Sequence, residues 1–594
     1  MATVKVFFFS GFLFALVLSL PASLSHTATA EANSALELAG LWQAKLRFGP
    51  DVRGTLLVKQ SNGAWSADIA GRTASVKLAG DTISLELPAG KGAFQGKFAA
   101  NRTKIAGHWI QAPGVTFGSY ASPVTLTKDK QNVWRGEVSP LDDAFTFYLM
   151  IKARPDGSVG VFLKNPERNL GRFIRLDHIE REGAGVKLFA ADTAKEKGRV
   201  LAEGKYDVDG KVLSIYFPRG GGTFDFMRVG ENEASDFYPR ASPTVPYVYA
   251  PPLTTDDGWQ TGTLEEIGIS RAGIENFIRM LINTPIDSVS SPEIHGVLIA
   301  RHGKLVLEEY FHGENRDKPH DTRSAAKSLT SDLFGAAIKA GVPVSASSSV
   351  YQVMNGGKFP SDLDPRKKSL TVENLLTQSS GLDCDDSDPK SPGREDFMRD
   401  ESGATDYYKY TLDLKMIRAP GEKAVYCSIQ PNLVGGVLSR AARQSLPTLF
   451  QNLLGEPLQI KRYYMEITPN GDAYMGGGVR FLPRDFMKLG QLHLSGGVWN
   501  GRKILTPEWS RRATSHLVEI GTGQYGYLWW VTEYPYKGRT VRAFFADGNG
   551  GQVVMGIPEL DLVVAFYGGN YADKVAVNAR EIYIPQYILP AIDK

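Results

Sequence analysis

Ser324 and Lys327 stand three residues apart in DTRSAAKSLTSDLFGAAIKAG, residues 321–341. On a helix, positions i and i+3 share a face, so this hydroxyl and this amine can meet. A serine hydroxyl is a poor nucleophile until a neighbour takes its proton. A lysine at the buried mouth of a helix has its charged form disfavoured by desolvation, and can act as that base or hold a second base ionised. The N–H of Ser324 falls in the helix's first turn, where it has no intrahelical acceptor, and can point at a developing oxyanion. The chemistry is that of acyl transfer. Otherwise the lysine is poorly placed, because a helix N-terminus favours negative charge. Ser-x-x-Lys also arises by chance in a chain of 594 residues, so the pair alone does not decide.

The elements that must position the pair are legible around it. Leu329, Leu333, Ala336 and Ala337 recur at helical spacing and predict a core-facing stripe, with Gly341 as the stop. Upstream, GISRAGIENFIRMLI reads as an amphipathic helix and HGVLIARHGKLVLEEYF as two strands. Downstream come the helical TVENLLTQ and PNLVGGVLSRAARQ. YGYLWWVT, RAFFADG, QVVMGIP and LDLVVAFYGG then read as strands, and a helix near VAVNAREIYIPQYI ends the chain. Strands at both ends of one region predict a single sheet flanked by helices over 253–594. In YGYLWWV, Trp529 and Trp530 should face opposite ways, one to the core and one to the cleft.

Residues 31–236 have another texture: short alternating runs such as GTLLVKQ and TISLEL between Gly-, Asn- and Asp-rich turns. Trp42 in GLWQAKLRF and Trp134 in NVWRGEV each open a half, predicting two related meanders, 39–130 and 131–230. They form two small barrels or one larger closed sheet, since closure removes edges. Five prolines in FYPRASPTVPYVYAPPLTTDDGW mark 237–252 as a semi-rigid linker. Residues 1–30, with Lys5, an apolar run from Val6 to Leu20 and Ala28-Thr29-Ala30, read as a cleaved signal peptide. The expected product is exported, periplasmic or secreted, without a stable membrane anchor.

Composition is that of a soluble globular protein: 42% hydrophobic, 22% charged, net charge +3. No single-sign run suggests nucleic acid or a polybasic membrane patch. GISRAG lacks the second glycine of a nucleophile elbow. No H-E-x-x-H or paired Cys/His spacing suggests zinc, and no metal or cofactor is expected. The acidic DCDDSDP, residues 383–389, lacks the central glycine of a calcium loop and reads as a solvated loop at the site mouth.

Longer segments carry a resemblance. TRSAAKSLTS, LTVENLLTQSSGLD, PGEKAVYCSIQPNLVGGVLSRA, GGGVRFLPRDFMKLGQLHLSGGVWNGRKILTPEW and FFADGNGGQVVMGIPELDLVVAF occur in the order found in the serine β-lactamase and penicillin-binding-protein superfamily. The chain resembles its class C β-lactamase-related serine hydrolases. The resemblance implies an α/β domain with an antiparallel sheet and a helical subdomain, preceded here by the all-β region. It implies Ser324 as nucleophile, with Lys327 and Tyr426 moving the proton and the tyrosine kept partly ionised by the lysine. The oxyanion would be held by the N–H of Ser324 and of Asn549. Ser428, Asp547 and Gly548 occupy the remaining substrate-side motif positions.

The departures also count. The second motif, Tyr-x-Asn in the family, is Tyr426-Cys427-Ser428, and serine reaches less far than asparagine. The third, Lys-Thr-Gly or His-x-Gly, is Ala546-Asp547-Gly548. Alanine cannot bind a substrate carboxylate, and Asp547 would repel one. Both changes point from penicillin towards the branch of esterases and 6-aminohexanoate-dimer hydrolases. Cys384 and Cys427 fall beside site segments in this alignment, and export permits them to pair. The expected activity is cleavage of a small-molecule or peptide ester or amide. The alternatives are a D-alanyl carboxypeptidase or β-lactamase-like enzyme on cell-wall peptides, and an inactive binding protein of the same fold. Oligomeric state is not fixed.

Overall fold

In the computed structural model the described residues are 35–593, apart from 48, 115–117, 131, 143, 192–197, 219–221 and 241–244. The expected signal peptide lies outside them. No helix among them is long and apolar enough to cross a membrane. They divide into two compact units, one of residues 35–42, 149–163 and 174–228, the other of 43–148, 164–173 and 229–593.

The β region forms two eight-stranded barrels, and each half lends its opening strand to the other. Gly40–Arg47, carrying Trp42, closes a barrel with the seven strands from Ala144–Ala153 to Gly222–Arg228. Val133–Val138, carrying Trp134, closes the first barrel by pairing with both Gly54–Ser61 and Ser119–Lys130 (Leu57 opposite Arg135, Thr127 opposite Arg135). Alternating burial fills the first barrel with Leu56, Val58, Ile83, Phe94, Ile105 and Leu126. Trp134 stacks on Trp65 there at 5.2 Å and meets Phe98 edge-on at 5.5 Å. The expected duplication is present, with its first strands exchanged.

One strand of the first barrel continues into the region beyond. Ser119–Lys130 pairs with Tyr463–Ile467 (Met465 opposite Ala121), which pairs with Val479–Phe481, which pairs with His320–Asp321. Hydrogen-bonded backbone thus runs from the barrel to within three residues of Ser324. Buried His108 reinforces the joint, its Nε2 2.7 Å from the Tyr463 hydroxyl.

The second sheet has nine strands and is built from both ends of its region, as the sequence predicts. Ile294–Arg301 lies between Lys304–Tyr310 and the late strand Leu562–Gly568, followed by Gln552–Ile557, Arg539–Gly548 and Trp530–Tyr536. Both faces are covered. Phe277 and Ile278 of Arg271–Ile282, with Tyr583 and Ile584 of the C-terminal helical segment, pack on one side against Val564 and Phe566. The other side, through Val554 and Val563, receives Pro483–Leu494 and the helix Ala326–Lys339. Leu329, Leu333 and Ala337 of that helix are fully buried. Each leucine contributes about 1.5–3 kcal/mol by leaving water, which fixes the helix on which the site depends.

Candidate active site

A single 3-10 turn, Arg323–Ala325, precedes the nucleophile helix and carries Ser324. Arg323 adopts φ 48°, a left-handed conformation unusual for a non-glycine residue. Lys327 follows in the helix's first turn and is 1% exposed. Its Nζ lies 2.8 Å from Ser324 Oγ and donates to the Gly476 carbonyl oxygen at 2.7 Å. Burial pushes the lysine pKa below its usual value, opposed by the fields of Glu395 and Asp386. Serine and lysine are therefore in contact, with a carbonyl fixing the amine.

Tyr426 completes the group. Lys327 Nζ sits 4.9 Å from its ring centroid, and the Ser324 hydroxyl favours the phenol's charged form. Burial drives the phenol's pKa far above its ordinary value, and the fields of Asp386, Asp547 and Glu395 push the same way. This corrects the expectation of a partly ionised tyrosine. The amine lies over the ring's face, and burial disfavours the charged form of both groups. Trp530 stacks on Tyr426 at 6.0 Å, while Trp529 is fully buried and its Nε1 donates to Asp332 Oδ1 at 3.3 Å. The two tryptophans divide between cleft and core as strand alternation requires.

The strand Arg539–Gly548 ends against the serine turn. A Cβ on Gly548 would stand 2.5 Å from the Thr322 carbonyl oxygen and 3.0 Å from the Ala325 nitrogen, so only glycine permits this approach. Asn549 follows at the turn of the hairpin. Its side chain is directed away, with Oδ1 accepting from the Ala572 N–H at 2.8 Å.

Residues 290–575 match the β-lactamase family model. The chain contains a β-lactamase-family domain. The 6-aminohexanoate-dimer hydrolase of Paenarthrobacter ureafaciens is 24% identical over 257 residues, 40% of this chain; the chain spans 63% of that relative's length. Among solved structures, a penicillin-binding-protein homologue from Pyrococcus abyssi is 19% identical with TM-score 0.39, over 50% of this chain and 75% of that one. Simvastatin synthase from Aspergillus terreus is 16% identical with TM-score 0.38, over 48% and 94%.

Within this β-lactamase-family domain the two altered motifs have structural partners. Ser428 is 1% exposed, and both its N–H and its hydroxyl donate to Asp386 Oδ2, at 2.8 and 2.6 Å. Its hydroxyl is thus committed to a carboxylate. Asp386 also receives the Glu395 N–H on Oδ1 at 3.0 Å, and its own N–H donates to the Tyr426 carbonyl. The expected solvated loop is therefore solvated only beyond Asp386, from Ser387 to Lys390. Glu395 accepts from the Tyr474 hydroxyl at 2.8 Å. Asp386, Glu395 and Gly476 are site-forming residues that sequence reading missed, and none carries a motif of its own. Cys384 and Cys427 are joined as a disulfide, with Cα atoms 5.8 Å apart.

Asp547 faces Arg580, with Oδ1 3.8 Å from Nε. Desolvation pushes its carboxyl up to about 6, with Arg580 opposing and Glu581 assisting. The folded pKa is raised above the ordinary 3.8, so the unfolded chain ionises first. Stability from the neutral carboxyl is full below about pH 4 and is lost as pH rises through about 6. Asp547→Asn is accordingly expected to flatten the pH dependence of thermal melting between about pH 4 and 6, and to remove a step near pH 6 from kcat/KM. Melting curves and rate profiles identical to the parent's would sink this assignment.

Proposed function

We propose that this chain is an exported serine hydrolase that cleaves an ester or amide through an acyl-enzyme on Ser324. The observation that carries the reading is a buried amine of lowered pKa, fixed by a carbonyl 2.7 Å away, 2.8 Å from a serine oxygen. Ser324 Oγ attacks the substrate carbonyl carbon while its proton passes to the deprotonated form of Lys327, which burial favours. The N–H groups of Ser324 and Asn549 receive the oxyanion. The Tyr426 phenol gives its proton to the departing oxygen or nitrogen and regains one from Lys327. Water then adds to the acyl carbon as Lys327 takes its proton, and the intermediate collapses by breaking the bond to Ser324 Oγ, which takes that proton from Lys327 as the acid is released. The Paenarthrobacter relative is named a 6-aminohexanoate-dimer hydrolase, and a dimer of an amino acid joined through its amine and carboxyl groups is an amide, so amides are the first substrate class to try. Asp547 at the third motif disfavours substrates with a carboxylate there, which weighs against D-alanyl peptides.

The test is intact mass after exposure to a fluorophosphonate, on the parent and on Ser324→Ala. One adduct on the parent and none on the variant is expected. An unlabelled parent would leave the binding-protein reading in its place, and capture of a labelled penicillin on Ser324 would move the reading to cell-wall peptides.

A further inference from the structure

The proposed oxyanion turn is held by a loop of the β-lactamase-family match that is itself gripped from outside that match. Asn549 Oδ1 accepts from the Ala572 N–H, and Gly550 is bridged to Asn570. Tyr571 lies under Arg323, with the guanidinium 4.7 Å above its ring, one residue before Ser324. The loop 569–573 therefore touches both proposed oxyanion donors' surroundings. That loop is gripped by the segment 164–173 of the same compact unit. Asn169, itself left-handed at φ 53°, donates Nδ2 to the Tyr571 carbonyl at 2.9 Å. Arg172 Nε lies 3.2 Å from Asp573 Oδ2 and its NH1 donates to Ser290 Oγ at 3.2 Å; Ser290 in turn donates to Asp573 at 2.7 Å. Lys164 pairs with Glu293 at 2.5 Å, both about 3% exposed. The backbone of Glu293 closes the circuit, its N–H donating to Asn570 Oδ1 at 2.7 Å and its carbonyl accepting from Gly569.

The geometry points to Asn169 and Arg172 as positioning residues for acyl transfer: they fix the loop 569–573, and through it Asn549 and the ring beneath Arg323. The inference rests on the proposed Ser324 chemistry. It gives the N-terminal β region a part in building the site, because an oxyanion donor displaced by less than an ångström loses much of its effect. Asp573 is buried, so truncating Arg172 leaves a carboxylate short of its partner and free to re-aim the loop.

Full-length Asn169→Ala and Arg172→Ala are compared with the parent for ester turnover, fluorophosphonate labelling rate and amide hydrogen exchange. The expected result is a fall in kcat of roughly ten- to a hundred-fold with KM nearly unchanged, since the contact is made in the transition state. Labelling should slow in parallel, exchange should quicken at 549–551 and 569–573, and Arg172→Lys should recover part of kcat. Parental kcat and labelling in both alanine variants would overturn the inference. So would a loss accompanied by faster exchange throughout the nucleophile helix, which would mean general destabilisation. If the parent itself fails to label, the functional reading falls, and exchange alone decides: unaltered protection at 549–551 in both variants overturns the positioning role.

Discussion

Lys327→Met is expected to slow acylation about a thousand-fold while leaving the fold intact. A positioned general base is worth about 10²–10⁴ in rate, and Lys327 Nζ is the group 2.8 Å from the Ser324 oxygen. Its pKa is lowered chiefly by burial, so the parent's rate should rise with pH along a limb lying below the ordinary lysine value. In the methionine variant that limb should vanish. Stability moves less, because two effects oppose. The folded pKa lies below the unfolded one, so the unfolded chain binds the extra proton, and parental stability rises with pH through that window. Methionine escapes this cost, most at lower pH. Against it, the Gly476 carbonyl loses its donor, a penalty of about 1–3 kcal/mol. Single-turnover release of a chromogenic leaving group, paired with melting curves, separates rate from fold. A variant that keeps a tenth of the parental rate would remove Lys327 from the role of base.

The sequence carried the nucleophile turn because its signal is local. Ser324 and Lys327 are one turn apart, and the leucine stripe behind them is a 3.6-residue pattern that any core-facing helix shows. What stayed hidden is contact across long stretches of chain. Gly476 meets Lys327 from 149 residues away, and Asp386 meets Ser428 from 42. A glycine carbonyl and one aspartate in an acidic loop have no signature until folding brings them in. The barrels teach the same lesson differently. Trp42 and Trp134 disclosed a repeat, yet alternation in their strands is identical whichever barrel they join, so the exchange was illegible. Tyr426 was found through its motif, but its protonation was misjudged. A motif gives neighbours, whereas the pKa depends on how completely water is excluded, and that emerges only with Trp530 and the carboxylates in place.

That neutral phenol leads to a result that separates two proton paths. Tyr426→Phe is expected to cut amide hydrolysis by about 10²–10³, yet to change turnover of a nitrophenyl ester by only a few-fold. Lys327 Nζ, 2.8 Å from the serine oxygen, remains to accept the serine proton, so the attack on the carbonyl survives the substitution. What is lost is the acid that hands a proton to the leaving group. An amine cannot depart as its anion and needs that proton in the transition state, whereas nitrophenolate leaves without one. Had the tyrosine been an ionised base, removing it would slow nucleophilic attack itself, and both substrates would suffer alike. The phenol's raised pKa, driven first by burial, excludes appreciable phenolate near neutral pH. Phenylalanine retains the ring that stacks on Trp530 and lies beneath the lysine amine, so KM and melting temperature should stay close to the parent's. Measuring kcat for a matched amide and ester sharing one acyl group therefore reads the proton path directly, and equal losses on the two would return the tyrosine to the role of base.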